Sequence, residues 1–521
     1  MKRRDLLLAA PFAIPALKTG LSRAAQPDNS VAGMNVILFL TDQERAIQHF
    51  PDGWEADNLP GMTRLKAHGL AFERAFCNSC MCSPSRATLF TGLFPAQHGV
   101  TDTLTFGTAF SAGERVLPPD LPNMATLFAA AGYAVAYKGK WHLSKPLNDP
   151  DNPAAWEPDD IAAYGFDRWD PPDAGENRDI SQFGGGNADN DHRIMASAGD
   201  AADGMEGVLP YLREIARGQQ PFFLVVSLVN PHDVLAYPRI WQDGGYETDA
   251  WLAGDIELPG SVDDDLATKP EAQRTFLRRV NAGLGPLPDD AARRNYVNFY
   301  GNLMKEADAY LMELLDTLQE LDLLDDTLVI RTSDHGEIGM AHGELRQKSF
   351  NAYEETLRVP LVFSNPRLFP EPRQSDALVS HVDLLPTLAS LFDAPDSARA
   401  EWQGVDYASL IRDPSAPPVQ DHIVFTYDDL RCAQNVVQLV GPPNRIVSIR
   451  EERFKLARYY DGEGVEPDQW EMYDLREDPE ERVNLAFPDY TPTAEQTAAR
   501  ERLAARLAEI EATRLQPLAG S

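Results

Sequence analysis

Three stretches constrain this chain most: Asn35-Val36-Ile37-Leu38-Phe39-Leu40-Thr41, Pro221-Phe222-Phe223-Leu224-Val225-Val226-Ser227-Leu228 and Thr327-Leu328-Val329-Ile330-Arg331-Thr332. Their apolar residues run on without the alternation of a half-exposed strand. Such runs predict strands covered on both faces, as in a parallel sheet under helices. Each run leads into polar residues: Asp42-Gln43, Asn230-Pro231-His232-Asp233, and Ser333-Asp334-His335-Gly336-Glu337. Open α/β sheets bind ligands at the carboxyl ends of their strands, so one site assembled from distant segments is expected. A fourth short strand, Tyr133 to Tyr137, follows a helix (Ala125 to Ala131) that closes at Gly132, and runs into Lys138-Gly139-Lys140-Trp141-His142. In extended chain Lys140 and His142 point to the same side.

The expected fold class is α/β: a large, mostly parallel sheet flanked by helices, followed by a smaller C-terminal α+β subdomain. Leu303, Ala307, Tyr310, Leu311, Leu314 and Leu318 recur at helical spacing and predict an amphipathic helix from Tyr296 to about Leu324. A short strand is expected over residues 359–363, and a helix after Ser380-His381-Val382-Asp383, with His381 and Asp383 in structural parts. Beyond Pro395, residues 423–426, 445–450 and 454–460 read as strands of a small antiparallel sheet, and Thr493 to about Thr513 as a final helix. The expected division is a leader at 1–25, an α/β unit at 31–395 and a C-terminal subdomain at 420–521. Residues 148–204 and 234–290 read as long excursions over the sheet. Tyr237, Trp241, Tyr246 and Trp251 in the second either line a cleft or pack.

The leader reads as an export signal. Lys2-Arg3-Arg4 precede an apolar run from Leu6 to Leu17, and Ser22-Arg23-Ala24-Ala25 offers small residues for cleavage. The arginine pair suits a twin-arginine route to the periplasm, with secretion as the alternative. No stretch approaches the length that spans a bilayer, so no stable membrane insertion is expected. The 521 residues carry 80 acidic and 47 basic side chains, a net −33. That field argues against nucleic acid and anionic lipid as partners, and an anionic substrate would need a local cluster of cations. The oligomeric state is left open.

Cys77, Cys80 and Cys82 crowd together, with Cys432 far off; packing or a disulfide accounts for Cys77 and Cys80. Cys82 opens Cys82-Ser83-Pro84-Ser85-Arg86-Ala87-Thr88-Leu89-Phe90-Thr91-Gly92. Ser83 is the expected helix cap, Pro84 the first helical residue and Gly92 the stop. Cys82 would then lie at the positive end of a helix dipole, where a nucleophile is activated and an anion is welcome. Arg86 lies one turn on.

The run C-S-P-S-R followed by T-G resembles the signature of the sulfatase family, and G-K-W-H resembles its second signature. The resemblance extends over nearly all of the chain beyond the leader and implies an alkaline phosphatase-like fold. It also implies that a formylglycine-generating enzyme converts Cys82 into formylglycine, whose hydrate is the nucleophile. Arg86, Lys140, His142, His232 and Lys348 match catalytic positions, with Lys138 a bystander. Asp42, Gln43, Cys82, Asp334 and His335 match the metal site. Calcium is the expected ion, with manganese, magnesium and zinc as alternatives. The family most often has a second acid at the position of Gln43, and Asn or His at that of His335. The implied activity is hydrolysis of a sulfate monoester, aryl, alkyl or carbohydrate, on a small molecule or a saccharide. A phosphonate monoesterase or phosphodiesterase of the same superfamily is the alternative, and a non-catalytic secreted binding protein the third reading.

Overall fold

Backbone pairing follows the apolar runs. The computed structural model describes residues 31–46, 49–175, 179–195, 206–394 and 401–518, so the proposed leader lies outside the described residues. In chain order the strands are β1 (Asn35–Asp42), β2 (Gly69–Phe72), β3 (Ala75–Phe76), β4 (Ala134–Gly139), β5 (Phe222–Pro231), β6 (Thr327–Ser333), β7 (Leu361–Ser364), β8 (Arg373–Ser375), β9 (Val379–Ser380), β10 (His422–Tyr427), β11 (Arg445–Glu451), β12 (Phe454–Tyr460) and β13 (Gln469–Asp474). The large sheet has the order β4-β5-β1-β6-β7-β2-β8. β4, β5, β1 and β6 run parallel, and β7 is antiparallel to both β6 and β2. This is the expected α/β architecture.

Both faces of the central strand are covered. Val36, Leu38 and Leu40 pack with Phe223, Val225, Leu328 and Ile330 in one core. Ile37 and Phe39 pack on the other side with Leu224, Val226 and Val329, under Leu303, Ala307 and Leu311 of the Asp290–Glu320 helix. Each fully buried aliphatic contributes about 1.5–3 kcal/mol. Unbroken hydrophobicity therefore stabilises β1 from both sides, which alternation could not.

The Asp290–Glu320 helix starts earlier than its apolar stripe suggests, because the side chain of Asp289 accepts from Ala292 N at 2.9 Å and caps it. It stops before Leu324 where Asp322 turns to φ 56°. The excursion at 234–290 contains a helix, Glu271–Leu284, whose buried face (Ala272, Phe276, Val280) is narrow among charges. The aromatics there pack rather than line a cleft: Tyr237, Trp241, Tyr246 and Trp251 surround Phe299 with ring centroids 5.1–6.3 Å away.

β10-β11-β12-β13 form the antiparallel sheet. Leu503, Leu507 and Ile510 of the Ala494–Thr513 helix pack on Val447, Ile449 and Leu456. This sheet is tied to the α/β part by Glu354, which accepts from Arg450 at 3.1 Å and Lys455 at 3.3 Å. Burial alone would raise the Glu354 carboxyl, but Lys455 and Arg450 pull it down to about 2.

The ionised form of Glu354 therefore stabilises the fold fully above about pH 4.5, and that stability is lost as pH falls toward 2. Urea unfolding between pH 6 and 3 should show a shallower acid limb for Glu354→Gln than for wild type. An identical slope would mean that this carboxylate is not linked to folding.

Candidate active site

The helix Cys82–Thr91 begins two residues earlier than its Ser-Pro pair suggests. Met81 is the N-cap, Cys82 the first helical residue, and Gly92 the left-handed stop at φ 67°. Ser83 is not the cap, because its hydroxyl is taken by the N–H of Leu104 at 3.1 Å. Cys82 thus points from the first turn into the ends of β1 and β6. Its Sγ lies 3.7 Å from Asp42 Oδ1 and 3.4 Å from His335 Nε2. Burial and Asp42 push the thiol up to about 11. As encoded, position 82 is a poor nucleophile.

Arg86 organises what surrounds it. Its Nε donates to Asp334 Oδ2 at 2.9 Å and its Nη2 to Asp42 Oδ2 at 3.4 Å, while Nη1 donates to Lys140 O and Ser227 Oγ, both at 2.8 Å. One fully buried guanidinium joins the ends of β1, β4 and β6 to Ser227 within β5. Lys140 Nζ lies 2.6 Å from Asp42 Oδ2, and both side chains are buried. Burial alone would raise the Asp42 carboxyl, but Lys140, with His232, Arg86 and His335, holds it well below the usual carboxylate range.

The turn after β4 is built by a glycine and an acid. Gly139 has φ 99°, and a Cβ there would stand 2.0 Å from Ser227 O, so only glycine fits. Asp173 accepts from Trp141 N and His142 N, both at 2.7 Å. His142 Nε2 lies 3.1 Å from Leu104 O. His232 follows β5, where Asp191 accepts from the N–H groups of Val229 and Asn230 at 2.6 and 2.9 Å. Burial and Lys140 hold both imidazoles well below the ordinary histidine value, so both are neutral at pH 7. Lys138 pairs with Asp170 and Glu206, away from the site. His381 touches Ser85 at 3.4 Å, and Asp383 accepts from Ser380 N at 2.7 Å, as structural residues do.

On the opposite wall, Lys348 donates to Gln43 Oε1. The amide of Gln43 is oriented from behind by Glu337, which accepts from Gln43 Nε2 at 2.5 Å, Tyr296 OH at 2.8 Å and Gln347 N at 2.8 Å. The structure thus gathers Asp42, Gln43, Cys82, Arg86, Lys140, Asp334, His335 and Lys348 by direct contacts. His142 hangs on the turn after Lys140, and His232 lies near enough to Asp42 and Lys140 to couple to them electrostatically. Asp173, Asp191 and Glu337 escaped the sequence reading. Glu337 stands in plain view in the run Asp334-His335-Gly336-Glu337; nothing local marks the other two.

The donor set fits a divalent cation. Ligand atoms of Asp42, Cys82, Asp334 and His335 lie within 4.8 Å of one another. His335 Nδ1 faces Gly336 O at 3.1 Å, which directs Nε2 at Asp42 Oδ1 and Asp334 Oδ1, 3.5 and 3.6 Å away. With the proton on Nδ1, a nitrogen lone pair meets two carboxylate oxygens, an arrangement a cation relieves. Cys77 and Cys80 are free, buried thiols, as is the half-buried Cys432 free, so no disulfide links them.

Residues 34–394 match the family model described as Sulfatase, and residues 343–512 match that of the N-sulphoglucosamine sulphohydrolase C-terminal region. An uncharacterized sulfatase, YidJ, of Escherichia coli is 30% identical over 64% of this chain and 63% of its own length, so the match spans somewhat under two thirds of that relative. A Delta 4,5-hexuronate-2-O-sulfatase of Bacteroides thetaiotaomicron is 24% identical over 81% of this chain and 78% of its own. The fold is shared with the solved phosphonate monoester hydrolase of Agrobacterium radiobacter, at TM-score 0.63 and 21% identity over 92% of this chain and 96% of that one. With a matching model over most of its length, and the two signature segments folded around one buried cluster, the chain belongs to the sulfatase family of enzymes.

Proposed function

We propose that this enzyme hydrolyses a sulfate monoester carried on a saccharide, at the cluster around Cys82. The observation that carries the reading is the pairing of a buried thiol with cations and a donor set arranged for an anion and a metal. The saccharide class is supported by the hexuronate sulfatase relative. Formylglycine made from Cys82 would supply a hydrated aldehyde oxygen as nucleophile, and Asp42, Gln43, Asp334 and His335 would hold a divalent cation, calcium in preference to manganese, magnesium or zinc, that would supply Lewis-acid charge.

The chain's own residues do the rest. Arg86 fixes Asp42 and Asp334 in place, so the donors need no rearrangement when substrate enters. Lys140 and Lys348 bind sulfate oxygens; Lys348 exchanges the neutral amide oxygen of Gln43 for an anion. Such prearranged charges are each worth about 3 kcal/mol in related cases. His232 delivers a proton to the leaving oxygen. Burial and Lys140 depress its proton affinity, and a sulfate anion between them offsets the lysine. His142, neutral for the same reasons, is ready to accept a proton.

Gln43 favours a second reading. With an amide in place of an acid, two carboxylates face the site, a charge balance that suits a phosphonate monoester or phosphodiester as well. Every expected position carries a competent side chain, so the non-catalytic reading is set aside. Residues 31–395 would carry the chemistry and 420–521 form the C-terminal subdomain. The N-terminal sequence supports export, to the periplasm by the twin-arginine route or by secretion.

Enzyme co-produced with a formylglycine-generating enzyme should yield a Cys82 peptide with the mass of formylglycine, and Cys82→Ala should be inactive. An unmodified thiol in fully active enzyme would sink the proposal. Lys140→Ala and Lys348→Ala should each lower kcat by about 10²–10³-fold on a sulfated saccharide, and chelation should abolish turnover until calcium is restored. Parallel rates on sulfate monoesters and on phosphonate monoesters and phosphodiesters decide between the two readings; a dominant rate on either phosphorus ester favours the second.

A further inference from the structure

A second cluster of ligating groups lies apart from Cys82. His342, Glu355 and Glu481 bring ligand-type atoms within 4.8 Å of one another. They arrive from three segments: the loop between Asp334 and Lys348, the short helix Glu354–Leu357, and the turn after β13. The His342 ring is clamped, stacked flat on Tyr353 with centroids 3.6 Å apart and planes 7° from parallel. One edge of it, Nε2, stands 3.2 Å from Glu355 Oε2; the other, Nδ1, faces Asp264 Oδ2 at 3.9 Å.

The protons do not balance there. Nδ1 and Asp264 Oδ2 are both buried, and neither makes a hydrogen bond. A neutral imidazole has one N–H and one lone pair. Whichever nitrogen holds the proton, the other aims a lone pair at a carboxylate oxygen. Glu481 adds a third acid. Its Oε2 accepts from Glu354 N at 2.8 Å, and its Oε1 meets Lys455 Nζ at 2.5 Å. Burial pushes the Glu481 carboxyl up to about 7 against the pull of Lys455, with Glu354 and Glu355 adding to the rise. Asp264 also pairs through its other oxygen with Arg482 Nε at 2.8 Å, which leaves Oδ2 facing the ring.

We propose that His342 Nε2, Glu355 and Glu481 bind a divalent transition cation of the zinc type, with Asp264 behind the ring accepting the Nδ1 proton. Two donors about 2.0–2.1 Å from a tetrahedral cation stand about 3.3 Å apart, close to the observed Nε2–Oε2 separation. A carboxylate on the far nitrogen of a ligating histidine is the usual supporting partner. An imidazole ligand selects zinc over calcium or magnesium, which prefer oxygen throughout. Lys455 is not stranded when the cation takes Glu481, because it keeps Glu354 Oε1 at 3.3 Å. The side chain of Glu355, 17% exposed, gives the ion a way in. The bound ion would pin the loop that carries Lys348 to the C-terminal segment, a structural part separate from the chemistry at Cys82.

Crystals of the full chain grown with Zn²⁺, with diffraction recorded above and below the zinc absorption edge, test this directly. The expected result is an anomalous peak within bonding distance of His342 Nε2. No peak there, with or without one at the Asp42 cluster, overturns the proposal. In solution, desalted wild type should retain one more equivalent of Zn²⁺ than His342→Gln. Asp264→Asn spares the ligands and should weaken Zn²⁺ binding at this site by about 10–100-fold. Unchanged zinc binding in both variants would equally overturn it.

Discussion

The structure depends on one buried guanidinium. Arg86 satisfies Asp42 and Asp334 and also holds the carbonyl of Lys140 and the hydroxyl of Ser227. Two ionised carboxylates this close and this dry would repel strongly, and removing one partner of such a buried set costs about 3–5 kcal/mol. The planar fork of arginine meets four acceptors, three at strand ends and one within β5, and a lysine has no matching geometry. The same contacts that make the sheet ends compatible therefore bring the carboxylates and Lys140 into one pocket. Stability and site assembly share a single residue.

Behind this inner set stands a row of acids outside the expected metal and catalytic set that still decide where the inner residues sit. Asp173 gathers the amides of Trp141 and His142, Asp191 those of Val229 and Asn230, and Glu337 the amide of Gln43. A carboxylate accepting two backbone N–H groups fixes a turn with little side-chain freedom. Each of the loops that deliver a functional side chain is pinned this way near the residue that matters.

Much of this was legible in the residues alone. Unbroken apolar runs identified β1, β5 and β6, because burial on both faces leaves no polar alternation, and the residues at their ends are those the fold collects. Lys140 and His142 were read in extended chain, whereas the strand stops at Gly139 and His142 turns to φ 56°. The supporting acids were not legible, since Asp173 sits in an aspartate- and proline-rich stretch where nothing separates it from its neighbours, and its partners lie some thirty positions back. The Glu271–Leu284 helix was missed because only three of its four buried residues are apolar, a weak stripe among charges. Ser83 misled for a related reason. It has the right chemistry for a cap, but the nearby Leu104 amide claims its hydroxyl.

The seclusion of Cys82 has a consequence for how active molecules arise. The residue is 2% exposed and lies in the first turn of a helix sealed by strand ends on one side and Lys348 on the other. If it is the precursor of the nucleophile, no second protein can reach it once these strands have closed. Maturation and collapse then race on the newly made chain, and the active fraction is decided by two rates rather than by an equilibrium. A sequence change that hastened closure around Arg86 would yield a more quickly folded population with fewer working members.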